Sequence, residues 1–518
     1  MKARRRTRRK PSAVIQRGQA FLLSVVLLLI GAGALIYNLA SPGKVEIDKD
    51  RITAEALAKA KAALIGYAAG VTDFTGGERP GDLPCPDLND SGTPLATGIT
   101  NCNSQATRIG RLPWKTLGLP DLRDGDGERL WYAVSDNFKD NTRTVCPSPG
   151  GVAGCLNSDA RGTITVRNSD GTVVNNGNDA YGSFNPSGVI AVIFAPGAIL
   201  QRQGAIAPQD RSCPAGSCTA AGVCNVTPYT NVPKCNPVNY LDVITGAFGT
   251  ADNATFTDGS ATDGFIQGPI RDMTGPVLDT GGNTRGNLIV NDRLIVITYQ
   301  DLMPALQRRV GQEVMKCLDD YAATAQNRGR YPWAVPITTV TPPYNDSNGT
   351  RFGRVPDNPL SATLLGVGGS PATTICQASG NLSLCMRGSW IPSCGITQGN
   401  WWTNWKEMVF YGVAAPYAPA SPTGNWWDPW SWGQLPWPGG CGTCLTVDPP
   451  SASSDKRVVV IVAGKRLSAV GGGQPRATGP EKSDATNYVE GQNDGGATQN
   501  VYTYQPTSTT FNDLVLYR

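Results

Sequence analysis

The sequence predicts an α+β protein: one N-terminal transmembrane helix, then two tandem modules, each an amphipathic helix packed on an antiparallel sheet with long disulfide-stapled loops. Three observations carry that reading. An eighteen-residue apolar run follows a basic leader, a set of short motifs occurs twice in one order, and fourteen cysteines all lie beyond the apolar run. The expected parts are a cytoplasmic leader over 1–18, a membrane helix over 19–40, a first module over 45–300 and a second over 301–518.

The run is Ala20 to Tyr37, AFLLSVVLLLIGAGALIY. At about 1.5 Å per residue it nearly crosses a bilayer core, with help from its flanks. Lys2, Arg4, Arg5, Arg6, Arg8, Arg9, Lys10 and Arg17 precede it, and no acid occurs before Glu46. Basic residues beside a span stay cytoplasmic. The expected location is therefore a bacterial inner membrane, crossed once, with the C-terminal bulk periplasmic or extracellular. A cleaved signal ending near Leu39-Ala40-Ser41 is the alternative.

The formal charge of +4 comes from the leader: 45 Lys and Arg less its eight leave 37, against 41 Asp and Glu. With no basic surplus outside the leader, nucleic acid is not an expected partner. Gly, Pro, Asn, Thr and Ser are abundant in the rest, as suits a loop-heavy, strand-rich body. Several cysteines are close neighbours: Cys85 and Cys102; Cys146 and Cys155; Cys213, Cys218, Cys224 and Cys235; Cys376, Cys385 and Cys394; Cys441 and Cys444. An oxidising compartment and local loop-stapling disulfides follow, with the pairing open.

The chain has no histidine. That excludes Ser-His-Asp and Cys-His nucleophile systems and histidine-based zinc sites. Cys441-Gly442-Thr443-Cys444 has redox-motif spacing, but Asp448-Pro449-Pro450 follows it and no helix can lower a thiol pKa there. A structural disulfide is expected. No catalytic residue, metal or cofactor is expected, and the chain reads as a non-enzyme.

Ser41-Pro42-Gly43 should end or bend the first helix. A second helix is expected over Ile52–Ala69, with Ile52, Leu57, Ala60, Leu64 and Tyr67 near one face. Leu64, Tyr67, Ala68 and Ala69 recur as Leu318, Tyr321, Ala322 and Ala323. Around that copy Asp301 can cap a helix, Pro304 falls in its first turn, and Leu306, Val310, Val314, Cys317 and Tyr321 keep one face. Trp131-Tyr132-Ala133-Val134 is answered by Phe410-Tyr411-Gly412-Val413, and the apolar strand Val189–Ala195 by Val458–Ala463. Asn239-Tyr240-Leu241-Asp242 is answered by Asn487-Tyr488-Val489-Glu490, and Asn291-Asp292-Arg293-Leu294 by Asn512-Asp513-Leu514-Val515. The common order indicates a duplicated module that joins its copy near Tyr299 to Leu302.

Arg17-Gly18 in front of the apolar run resembles the processing site of type IV pilin-like proteins. Gln19-Ala20-Phe21-Leu22-Leu23 follows, without the glutamate that family usually carries in the fifth place. Residues 61–135 resemble a group of bacterial prepilin-like proteins, through Ala63-Leu64-Ile65-Gly66-Tyr67-Ala68, Leu83-Pro84-Cys85-Pro86, Leu112-Pro113-Trp114 and Trp131-Tyr132-Ala133-Val134. The resemblance implies cleavage between Gly18 and Gln19 by a prepilin peptidase. It also implies partnership with the inner membrane, other pilin-like subunits and their assembly machinery. The implied role is a structural subunit of a type IV pilus or type II secretion pseudopilus, minor or tip-associated.

A second reading rests on Trp401, Trp402, Trp405, Trp426, Trp427, Trp430, Trp432 and Trp437. Exposed, these rings would make the loop 401–437 the binding surface of a membrane-anchored adhesin; buried, they would form a satellite core. Asp87, Asn89, Ser91 and Gly92 match the start of a calcium loop, but Gly98 stands where the closing glutamate belongs. Turn chemistry is the expected role there and for Asp121, Asp124, Asp126 and Glu128.

Overall fold

The computed structural model describes residues 42–70, 79–95, 102–139, 156–178, 188–260, 264–278, 284–324, 327, 329–347, 349–359, 374–375, 386–387, 389–397, 401–419, 444–449, 451–467, 473–496 and 499–518. The first half runs α1 (Pro42–Ala69), β1 (Ile109–Arg111), β2 (Trp131–Val134), β3 (Val166–Arg167), β4 (Val173–Asn175), β5 (Ala191–Ala195), β6 (Val243–Gly246), β7 (Gly249–Asp252), β8 (Phe265–Ile266), β9 (Ile270–Leu278), β10 (Thr284–Val290) and β11 (Arg293–Ile297). The second runs α2 (Tyr299–Ala323), β12 (Phe352–Arg354), β13 (Thr374–Ile375), β14 (Met386–Arg387), α3 (Trp402–Trp405), β15 (Val409–Val413), β16 (Leu445–Asp448), β17 (Ser451–Lys456), β18 (Val458–Val462), α4 (Gly479–Lys482), β19 (Val501–Thr503) and β20 (Leu514–Tyr517).

The fold class expected from sequence is corrected by these elements. Among the described residues there are four α-helices, two of them a single turn, and none is long and apolar enough to cross a membrane. The described body is mainly short strands, and its described residues form seven sheets tied by disulfide-stapled loops. The expectation of an α+β chain led by a transmembrane helix is corrected to this extent: the described residues are mostly sheet and contain no membrane-spanning helix. The first described helix is not such a span: Glu46, Asp48, Lys49, Asp50 and Arg51 crowd its first turns, and a bilayer excludes such charge. The same finding corrects the expected single-pass placement in an inner membrane. The stretch 19–40 and the processing residues Gly18 and Gln19 lie outside the described residues.

α1 begins at Pro42 instead of bending there, because proline lacks only a donor that the first helical turn leaves unused. Its buried face is Ala56, Leu57, Ala60, Leu64 and Ala68. Ile52, expected on that face, is 41 % exposed, whereas its neighbour Thr53 meets the body, its hydroxyl accepting from the Gly125 N–H at 2.9 Å. α2 is capped by Thr298; Asp301 is its third residue, and its carboxylate accepts from the Thr298 N–H and hydroxyl at 2.8 Å each. Pro304 falls in the second turn, not the first.

The first half holds an antiparallel sheet of order β1-β2-β5-β11, and the second one of order β12-β15-β18-β20. The inner strands β5 and β18 are buried throughout, so both of their faces are covered. Each half adds a three-stranded sheet, β4-β3-β8 and β17-β16-β19, with one antiparallel and one parallel pairing. Side chains alternate across the first sheet. Tyr132 and Ile193 join the main core with Leu57 and Leu64 of α1; Trp131 and Phe194 join Tyr240 and Phe265 on the opposite face.

The main core is continuous through both halves, bringing Leu64, Tyr132 and Ile193 together with Leu306, Val314, Tyr411 and Ile461. A polar staple crosses the same junction. Asn404 accepts from Arg79 and from the Leu156 N–H at 3.2 Å each, and the Ser158 hydroxyl donates to the Ala463 carbonyl at 2.5 Å. Asp159 lies 3.1 Å from buried Arg476. The disulfides include Cys85–Cys102, Cys213–Cys218 and Cys224–Cys235. Cys394, grouped by sequence with Cys376 and Cys385, instead bonds Cys317 of α2, clamping a distant loop onto the helix.

Candidate functional site

The densest polar chemistry in the structure occurs twice. In the first half, β5 runs into a turn at Gly197 and β11 starts directly after Asp292, so the ends of two adjacent strands bring Asp242, Asn291 and Asp292 together. Asp242 accepts from Gln209 Nε2 at 3.0 Å and from the Asn291 N–H at 2.8 Å. Asp292 Oδ2 accepts from the Asp242 N–H at 2.7 Å and from Asn253 Nδ2 at 2.8 Å.

The second half repeats every contact. Glu490 accepts from Gln474 Nε2 at 2.8 Å and from the Asn512 N–H at 2.9 Å. Asp513 Oδ2 accepts from the Glu490 N–H at 2.8 Å and from Asn493 Nδ2 at 3.1 Å. Asn253 and Asn493 each also close a reciprocal pair with a strand of the smaller sheet, at Ile266 and Thr503 respectively.

An arginine orients each glutamine. Arg211 donates to Gln209 Oε1 at 2.9 Å and to the carbonyls of Asn239 and Gly197. Arg476 donates to Gln474 Oε1 at 3.3 Å and to the carbonyls of Asn487 and Gly464. The tyrosine between them takes a guanidinium on each side. Tyr240 lies 3.9 Å from Arg111 and 4.6 Å from Arg211; Tyr488 lies 5.3 Å from Arg354 and 4.8 Å from Arg476.

Burial dominates the electrostatics. It pushes the Asp242 carboxyl up to about 6 and the Asp292 carboxyl well above the usual range, with the neighbouring Asp242 charge adding to the latter. Burial likewise raises Glu490, and raises Asp513 well above its usual value with Glu490 adding. The four acids are 0, 0, 5 and 6 % exposed in chain order. They reach no substrate, and a hydrolase pair must. The arrangement locks loops and strand ends.

Asp242, Glu490, Asn291, Asp292, Asn512 and Asp513 were legible as paired motifs. Gln209, Arg211, Asn253 and their counterparts were not. One signal was available: Gln209-Asp210-Arg211 and Gln474-Pro475-Arg476 share a Gln-x-Arg pattern, each between the apolar strand and the Asn-Tyr motif.

Trp401, Trp402 and Trp405 are buried in the main core, with Trp401 Nε1 donating to the Gly395 carbonyl at 2.7 Å. Trp426, Trp427, Trp430, Trp432 and Trp437 lie outside the described residues, as do Cys146, Cys155 and Cys441; Cys444 is disulfide-bonded. Asp87 accepts from the backbone N–H groups of Asn89, Ser91 and Gly92, and Asp124 from those of Asp126, Glu128 and Gly197. Both are turn carboxylates, raised by burial.

The surface feature of note is the first half of α1. Val45, Ile47 and Ile52 are 44, 69 and 41 % exposed on it. Its base meets the body through Lys49–Asp126 and Arg293–Asp50 ion pairs, which border a groove of about 450 Å³. Comparison with family models, curated proteins and solved structures gives no match.

Proposed function

We propose that this chain is a structural, non-catalytic subunit of a type IV pilus or type II secretion pseudopilus, a minor or tip-associated component beside other pilin-like subunits. The observation that carries the reading is the shape of α1. A helix of 28 residues is about 42 Å long, and its buried face begins only at Ala56. One side of its first half meets the body through Lys49, Asp50 and Thr53, while Ile47 and Ile52 stay 69 and 41 % exposed; such open apolar side chains suit contact with neighbouring subunits in an assembly. The body behind it suits a rigid head: one continuous core, a polar staple between halves, and acids sealed from any cleft. The adhesin reading gains no support, because Trp401, Trp402 and Trp405 face inward.

The test is fractionation of sheared filaments from producing cells, with the intact mass of the recovered chain. The reading expects the protein in the filament fraction with Gln19 at its amino terminus. It expects Ile47→Glu to leave thermal stability unchanged and to remove the protein from that fraction. A chain still beginning at Met1 and absent from filaments would overturn it.

A further inference from the structure

Each half encloses two carboxyl groups, and among the described residues neither has a cation within ion-pair distance, the nearest being Arg202 and Arg211 in the first half and Arg476 in the second. Asp242 uses both oxygens on N–H donors, and Asp292 uses only Oδ2. Asp292 Oδ1 is buried and meets no hydrogen-bond partner; in the second half Asp513 Oδ1 is orphaned in the same way. The same atom is left unserved at equivalent positions of two divergent sequences, which points to a shared chemical cause.

The charged groups around each pair are otherwise engaged. Arg211 spends its donors on Gln209 and two carbonyls and lies 3.1 Å from Glu128, while Arg202 pairs with Asp252 of β7. In the second half Arg476 donates to Gln474, to carbonyls and to Asp159, and Arg466 also faces Asp159. Tyr240 and Tyr488 pack there, each between two guanidinium groups, with the Tyr488 hydroxyl directed at Glu407; Tyr299 also faces the second pair, with Lys465 over its ring. Two adjacent buried carboxylates without a counter-ion are strongly disfavoured, and one bound proton removes the conflict.

We propose that Asp292 and Asp513 are neutral carboxylic acids in the folded protein, each pair holding one proton that seats the last strand of its half. Asp292 directly precedes β11 and Asp513 directly precedes β20, both edge strands of the main sheets. Removing the proton leaves two like charges at the root of each edge strand. The sign follows from linkage. A carboxyl held above its unfolded value contributes stability that is complete below about pH 4 and is lost as pH rises through the folded value. Within that window each pair raises the unfolding constant about tenfold per pH unit.

Infrared spectroscopy of the full chain in D₂O tests this, read at the carbonyl stretch of a protonated carboxylic acid at about pH 7, where ordinary carboxyls are ionised. The proposal expects that band in the wild type, its partial loss in Asp292→Asn and in Asp513→Asn, and its complete loss in the double variant. Asparagine keeps a neutral donor, so the double variant should also lose less stability than wild type between about pH 6 and about pH 9. If a variant fails to fold, the wild-type band followed with rising pH still decides. No band at neutral pH, or a denaturation midpoint moved by EDTA and restored by calcium, would overturn the proposal, the latter by assigning the orphaned oxygens to a metal ion.

Discussion

Gly412 and Tyr502 form a pair that the first half solves differently, and exchanging the solutions tests the equivalence of the halves. A Cβ on Gly412 would lie 1.9 Å from the Tyr502 hydroxyl and 2.7 Å from Cζ, far inside contact distance. Tyr502 is fully buried and cannot swing out. By strand register Gly412 corresponds to Ala133, since each faces the first residue of its edge strand, Phe352 and Ile109. Tyr502 corresponds to Phe265, the partners being Val447 and Val166 in the parallel pairings. The first half thus carries a methyl group where the second carries a hydroxyl. Gly412→Ala alone should cost about 1–3 kcal/mol by overpacking. Tyr502→Phe alone should cost under about 1 kcal/mol, because the hydroxyl's contact to Gln499 is long at 3.5 Å. The double variant should recover at least half of the glycine loss. Urea denaturation midpoints of the four proteins, read as a double-mutant cycle, measure the coupling. Strictly additive losses would refute the reasoning, since they would mean that the methyl group and the hydroxyl do not compete for one space.

Replacing Cys317 and Cys394 together by Ala should destabilise more than replacing Cys213 and Cys218. Chain entropy gives about 4.5 kcal/mol for a separation of 77 residues and about 2 kcal/mol for one of 5, and non-reducing urea melts compare the two. Asp159→Asn strips the only carboxylate within 4.0 Å of Arg476 among the described residues, and should cost about 3–5 kcal/mol by leaving a buried cation unpaired; calorimetry should show the halves losing joint cooperativity. Leu64→Ala, at a fully buried position of α1, should cost about 2–5 kcal/mol in the same assay.

Periodicity made α2 legible, because one side of it is buried along nearly its whole length. The segments paired by sequence occupy matching places in two sheets of equal strand order, and the repeated motifs hold the acids of both clusters. The start of α1 was not legible. An apolar face was assigned to Ile52, and whether anything covers a helical face is not written in the helix itself. Asp301, a capping residue by type, stands at the third helical position instead, because the backbone leaves Thr298 outside the helix.

By itself the sequence determined what is local in chemistry. The absence of histidine excludes whole classes of catalysis, and the Asn-Tyr and Asn-Asp motifs mark where strands begin and end. Tertiary structure decided what depends on distant neighbours: that Cys394 reaches Cys317, that Trp401, Trp402 and Trp405 turn inward, and that Gln209 and Gln474 meet the acids. The reason is physical. Turns and helix faces are set by residues a few positions apart, whereas burial and the partner of a charge are set by whichever surface folds over it.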